Sequence, residues 1–242
     1  PKKDNDITVC SIYVNPTQFN DQQDFEKYPR LIEDDMLKLE DENCDALFAP
    51  DSAEMYPKDD SIDIPKELDL GELAHVMEGQ FRPGHFDGVV TIVEKLFSAI
   101  TPDRAYFGLK DYQQLAVVRT MNEQLDLGIE VIGCPTVREA DGLALSSRNL
   151  LLSKEQRSEA PAIFKSLIHG RDHLAEFDVD EFKRTVAREI EDFATLQVEY
   201  VEVSDSKSLR PLNKWTSADS AVCCVAVHAG GVRLIVNIIL YN

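Results

Sequence analysis

Ala105-Tyr106-Phe107-Gly108-Leu109-Lys110-Asp111-Tyr112-Gln113-Gln114 decides the fold. Three apolar residues, two of them aromatic, read as a short strand, and Gly108 ends it. A helical pattern follows over roughly 111–125, and Ile129-Glu130-Val131-Ile132 is strand-like again. Strand, helix and strand in that order imply a βαβ unit and a parallel sheet. Upstream, Val89, Val90, Val93, Leu96, Phe97 and Ile100 recur at helical spacing. Earlier still, the β-branched run Ile7 to Val14 predicts a strand buried on both faces, stopped at Asn15-Pro16 where proline removes a ladder donor. A helical pattern around residues 30–43 and a strand at Ala46 to Ala49 complete the alternation.

Beyond residue 135 the rhythm changes. Ser153-Lys154-Glu155-Gln156 reads as a capping box opening a helix, which Pro161 should kink or interrupt. A second helix is expected from about Asp180 to Ala194. Strands follow at Val198 to Val203, Ala221 to Val227 and Val232 to Ile239, with His228-Ala229-Gly230-Gly231 as a hairpin turn. Helices followed by antiparallel strands predict a small α+β domain.

Composition narrows the chemistry. With 242 residues, 43% of them apolar, the chain can bury a sizeable core in one large domain or two modest ones. No apolar run of about 18 residues is present, so no membrane span is expected. The net charge of −19 argues against nucleic acid, whose binding needs basic stripes that release counterions. Cys10, Cys44, Cys134, Cys223 and Cys224 have no zinc-like spacing and read as reduced core thiols in a cytoplasm.

In an open parallel sheet, ligands bind outside the carboxyl ends of the strands. Polar clusters fall at three such ends: Asn15 to Phe19, Gly108 to Asp111, and the loop from Pro135 towards Asn149. Lys110 stands near a helix N-terminus, where a phosphate meets both free N–H groups and an ammonium. Asp111 either caps that helix or bonds a ribose hydroxyl or substrate; Gln114 lies one turn on. Ser146-Ser147-Arg148 offers two hydroxyls and a guanidinium, a clamp for polyphosphate or a plain Ser-rich connection. In Arg82-Pro83-Gly84-His85, Arg82 suits a carboxylate or phosphate. His85 suits a ligand or the start of a helix.

Taken together, these segments resemble the pantothenate synthetase (pantoate–β-alanine ligase) family of the nucleotidyltransferase superfamily. The likeness runs from about Ile7 to Asn237. It is densest in Ser11 to Phe19, Tyr28-Pro29-Arg30, Arg82 to Gly88, Pro102 to Gly108, Lys110 to Gln114 and Val137 to Asn149. It implies an α/β fold: a Rossmann-like nucleotide- and pantoate-binding domain over 1–134 and a small α+β lid over 135–242. It also implies ATP-dependent joining of (R)-pantoate to β-alanine through pantoyl adenylate, with Mg²⁺, in a cytoplasmic homodimer.

By the same resemblance, Lys110 and Arg148 are catalytic. Gly108, Leu109, Lys110, Asp111, Val137, Leu145, Ser146, Ser147 and Arg148 bind ATP, Val137 through its backbone. Asn15, Gln18, Gln114, Arg82 and His85 serve the substrates, with Gln18 and Gln114 gripping pantoate. Asp34 and Asp35 match acidic residues near the magnesium. Leu109 stands where the family has glutamate, and its side chain is expected to point away from phosphate. Family members also carry Met-Gly-x-Leu-His-x-Gly-His ahead of the strand at Ile7, and its histidines are assigned the main catalytic role. Here no histidine precedes His75, so the resemblance implies either a leader outside this stretch or a truncated product. The alternatives are a nucleotidyltransferase for another carboxylic acid, against which Gln18 and Gln114 argue, or a non-catalytic relative that binds nucleotide or only dimerises.

Overall fold

A computed structural model describes residues 1–20, 22–57 and 68–241. The first elements are β1 (Val9–Ser11), α1 (Gln22–Lys27), α2 (Ile32–Asp41), β2 (Ala46–Phe48), α3 (Ser52–Met55), α4 (Met77–Phe81) and α5 (His85–Ile100). Next come β3 (Arg104–Gly108), α6 (Tyr112–Gln124), β4 (Glu130–Cys134), α7 (Lys154–Glu159), α8 (Pro161–Asp172) and α9 (Val179–Glu191). The chain closes with β5 (Leu196–Asp205), β6 (Ala221–Ala229) and β7 (Val232–Tyr241). Two compact units emerge. The first gathers Pro1–Ala74, Glu78–Tyr106 and Val117–Ile132; the second gathers His75–Met77, Phe107–Ala116 and Gly133–Asn242.

In the first unit β1 and β2 pair in parallel, Val9 opposite Ala46 and Ser11 opposite Phe48. A parallel pair needs a crossover, which α1 and α2 supply. The strand expected over Ile7 to Val14 is shorter, and it is not buried on both faces: Ile7 is 72% exposed and Val9 41%. The physical reason is its single neighbour, since β1 pairs with β2 alone among the described residues. Helix α5 begins after Gly84 at φ +78° and ends at Thr101, whose N–H donates to Phe97 O at 2.7 Å. Val89, Val90, Val93 and Phe97 form its buried face; Leu96 and Ile100 are only half-buried. In α6, Val117, Val118 and Met121 are buried. Asn122 then staples the helix to the next strand, its side chain donating to Ile129 O and accepting from Ile129 N. Strands β3 and β4 form a second two-stranded sheet.

The second unit is built on the antiparallel sheet β5-β6-β7, with Val201 opposite Val225 and Val225 opposite Val236. Strand β7 alternates buried and half-buried residues along its whole length, the period of two that gives a sheet two distinct faces. Ile163, Leu167, Phe182, Val186 and Ile190 from α8 and α9 join the core against this sheet. The hairpin turn is tighter than expected. His228 and Ala229 belong to β6, and Gly230-Gly231 alone make the turn, with Gly230 at φ +59°. The capping box is present on α7, its Ser153 Oγ accepting from Gln156 N while Gln156 reaches back to Ser153 N. Pro161 ends that run by opening α8 at its first position, where no backbone donor is needed.

All five cysteines are free thiols, with Cys223 and Cys224 buried and the others half-buried. Among the described residues no helix is long and apolar enough to cross a membrane.

Candidate active site

Gly108 closes β3 in extended backbone, Leu109–Asp111 make a 3-10 turn, and α6 starts at Tyr112. The first turn of α6 therefore presents backbone N–H groups and the positive end of a helix dipole. Half of the side chains here are spent on the fold. Leu109 packs over Gly133 and is half-buried, as its apolar character favours. Tyr112 donates its hydroxyl to Ser206 O at 2.9 Å, and buried Gln113 donates Nε2 to Val76 O at 2.9 Å. Lys110, Asp111 and Gln114 remain. Lys110 Nζ is 3.9 Å from Asp111 Oδ1, a loose contact between chain neighbours. Asp111 makes no capping bond, and the Gln114 amide bonds to no other described residue.

The 135–149 loop is a small antiparallel excursion. Arg138 and Ala144 bridge, Glu139 N donates to Leu143 O at 2.8 Å, and Leu145 N donates to Val137 O at 3.0 Å. Leu143 and Ala144 anchor it in the interior, while Val137 and Leu145 stand side by side, 65% and 52% exposed. Arg157 of α7 holds the tip, donating to Asp141 Oδ2 at 2.7 Å and Glu139 Oε2 at 2.5 Å. The hydrogen bond from Arg157 is the main reason that the Asp141 carboxyl titrates below its usual range. Ser146 then caps a 3-10 turn, Ser147–Leu151, its Oγ accepting from Arg148 N. Ser147 is exposed and Arg148 half-buried. Asn149 donates to Ala144 O at 2.9 Å, and its buried Oδ1 has no partner among the described residues.

These two segments share a support. Both the Leu109–Asp111 turn and the Ser147–Leu151 turn pack against β7. Lys110, Asp111, Gln114, Val137 and Leu145 to Arg148 thus all lie in the second unit, around one strand.

The first unit carries the remaining candidates. Asn15 is 2% exposed and fully engaged. Its Nδ2 donates to Gly88 O at 3.0 Å, and its Oδ1 accepts from Tyr56 Oη at 2.8 Å and Thr17 Oγ1 at 3.0 Å. With its Oδ1 and one of its two Nδ2 protons committed to the fold, buried Asn15 shapes the loop. Arg82 Nη2 donates to Gln18 O at 3.1 Å, and His85 Nδ1 lies 2.9 Å from the same oxygen. A carbonyl only accepts, so that ring nitrogen carries the proton. Arg82 is also paired with buried Glu78 at 3.2 Å. Both side chains thus grip the backbone beneath Gln18, whose side-chain amide bonds to no other described residue. Asp34 and Asp35 sit in the first turn of α2, Asp34 exposed and Asp35 paired with Lys38 at 3.3 Å. No group of three or more metal-ligating side chains occurs among the described residues.

Two positions escaped the sequence reading. Gly88 is one, because α5 runs backbone against backbone over the Pro16–Gln18 turn. Asn237 on β7 is the other, since its amide reaches Leu109 and Lys110. Asparagine amid Val236 and Ile238 was the available signal for the second; Gly88 gave none inside a helical pattern.

The family model described as Pantoate-beta-alanine ligase matches residues 1–239. A pantothenate synthetase of Bacteroides thetaiotaomicron is 48% identical over 235 residues, covering 97% of this chain and 82% of that protein. One of Fervidobacterium nodosum is 44% identical over 241 residues, covering 99% and 84%. Among solved structures, a pantothenate synthetase from Thermus thermophilus superposes with a TM-score of 0.92 at 40% identity, over 100% of this chain and 86% of that one. A pantoate-beta-alanine ligase from Francisella tularensis, complexed with beta-gamma ATP and beta-alanine, gives a TM-score of 0.80 at 32% identity, covering 99% and 81%.

Proposed function

The chain belongs to the pantoate–β-alanine ligase family, and from that membership we infer that it condenses (R)-pantoate with β-alanine at the expense of ATP. The pantoate carboxylate attacks the α-phosphorus, the bond to the bridging oxygen breaks, and pyrophosphate leaves. The β-alanine amine then attacks the activated carbonyl, and AMP departs to leave pantothenate. Both steps depend on alignment and on neutralising charge, with no protein nucleophile.

The observation that carries the assignment of roles is the common support of two cationic segments on β7. Lys110, at the start of α6, is assigned to the phosphates, and Arg148 with Ser146 and Ser147 to the charge that builds on pyrophosphate. Val137 and Leu145 offer adjacent apolar surface and a backbone edge for the adenine, and Asp111 is assigned to the ribose. Gln18 and Gln114, candidate amides that bond to no other described residue, are assigned to pantoate. Asn15, Arg82 and His85 are assigned to holding the Gln18 loop. Asp34 and Asp35 do not fit a resident cation, since one is exposed and the other is neutralised by Lys38. Mg²⁺ is therefore placed with ATP, as the counter-ion that accompanies its phosphates. A cytoplasmic homodimer completes the proposal.

Pyrophosphate release from the purified protein tests it. Release should require ATP and pantoate together, and AMP and pantothenate should follow on adding β-alanine. Release with a different carboxylic acid alone would redirect the assignment to another nucleotidyltransferase. Nucleotide binding without release would leave only a binding protein.

A further inference from the structure

Asparagine is a poor strand former, yet Asn237 interrupts Leu234-Ile235-Val236 and Ile238-Ile239-Leu240 in the middle of β7. Such local misfits mark positions kept for another reason. The side chain lies on the half-buried face of the strand, opposite the row that enters the core. Its Nδ2 donates to Leu109 O at 2.9 Å and to Lys110 O at 2.9 Å. An amide nitrogen has two protons, so both are spent on consecutive carbonyls of the turn that carries the Lys110 ammonium.

The backbone of the same residue holds the other segment. Asn237 O accepts from Arg138 Nη2 at 3.2 Å. Arg138 also donates to Gly142 O at 3.3 Å and stacks 3.6 Å over Phe164. No carboxylate is among its partners in the described residues, so Arg138 acts here as a rigid brace between strand and loop. One residue of β7 therefore meets the Lys110 turn through its side chain and the loop leading to Ser146 and Arg148 through its carbonyl.

We propose that Asn237 is a positioning residue for adenylate formation, fixing the spacing between Lys110 and the Ser146–Arg148 segment. This rests on the reading of those residues as phosphate ligands. Catalysis by alignment is sensitive to displacements of about 1 Å, so a turn released from its clamp loses rate even when the fold survives.

The test uses Asn237→Asp, which keeps the shape but faces two carbonyls with a carboxylate, and Asn237→Ala, which leaves the turn unheld. Pyrophosphate release with ATP and pantoate should fall by at least about tenfold in both, in kcat more than in KM. Conversion of supplied pantoyl adenylate and β-alanine to pantothenate should stay within about threefold of wild type. A merely structural role would lower both half-reactions in proportion. If those variants fail to fold, Asn237→Ser keeps one donor and should show an intermediate loss confined to the first half-reaction. In a Lys110→Ala background, Asn237→Ala should cost less than about twofold, because the clamp then has no ammonium to position. Wild-type release rates in the variants, equal losses in both half-reactions, or losses that multiply with Lys110→Ala would each overturn the proposal. Wild-type protein that releases no pyrophosphate sinks the assigned activity, and this proposal with it.

Discussion

An added Cβ at Gly88 would stand 2.6 Å from the carbonyl oxygen of Thr17, whereas nothing lies within 4 Å of the same atom built on Gly108. Gly108 is also in ordinary extended backbone, at φ −69°, so no internal constraint asks for glycine there. The two positions should therefore respond oppositely to alanine. Gly88→Ala forces α5 off the Pro16–Gln18 turn, and overpacking of this kind costs about 1–3 kcal/mol. Urea denaturation should show that loss. Gly108→Ala should leave the urea midpoint unchanged while raising KM for ATP about tenfold, near 1.4 kcal/mol, because the methyl occupies space reserved for close approach of the nucleotide to the backbone. A normal KM in Gly108→Ala would remove that segment from the nucleotide site. Sequence could point to the segment but not sort its members. Gln113 and Gln114 look alike until one is found buried against Val76 O and the other with a side-chain amide that bonds to no other described residue. The partners of Gly88 and Asn237 were illegible for a different reason: each answers to backbone far away along the chain, and Asn237 Nδ2 reaches across separations of 127 and 128.

Among elements, those written in local chemistry were the ones legible beforehand. The α7 capping box, the stop at Pro161 and the β6–β7 hairpin each depend on residues a few positions apart. Strand β1 misled because a β-branched run specifies extended backbone without specifying how many neighbours will cover it. In the second unit, Glu199 ties β5 to the hairpin, accepting from His228 Nε2 at 3.0 Å and Arg233 Nη2 at 2.6 Å. Burial opposes charge on Glu199, but the bonds from Arg233 and His228 outweigh it and hold the carboxyl below the usual value of 4.5. A depressed folded value means that the stabilisation is complete above 4.5 and is lost as pH falls through the folded value. Wild type should consequently exceed Glu199→Gln in Tm at neutral pH, with the gap closing as the pH is taken below 4.5. A gap that stays constant as the pH falls below 4.5 would show that Glu199 contributes by shape and not by charge.

At the scale of the whole molecule, a net charge of −19 has to coexist with two anionic reactants. Apart from buried Glu78, the described carboxylates are exposed or half-buried, while Lys110 and Arg148 are local, half-buried and carried on segments that share one strand. These two fields differ in range, and salt separates them. At about 0.15 M ionic strength the Debye length is about 8 Å, so distant surface charge is screened while contacts within hydrogen-bond reach are not. Global repulsion should therefore slow the approach of ATP most at low salt, and screening should relieve it. Raising ionic strength from about 20 mM to about 150 mM is expected to increase kcat/KM for ATP by about twofold, with kcat little changed. A nucleotide site governed by an extended basic surface would behave in the opposite way, losing kcat/KM steeply over the same interval. Measuring the sign of that slope thus decides whether a few half-buried cations or a broad field bring the nucleotide in. A fall would transfer the capture of ATP to basic residues that the proposed site does not contain.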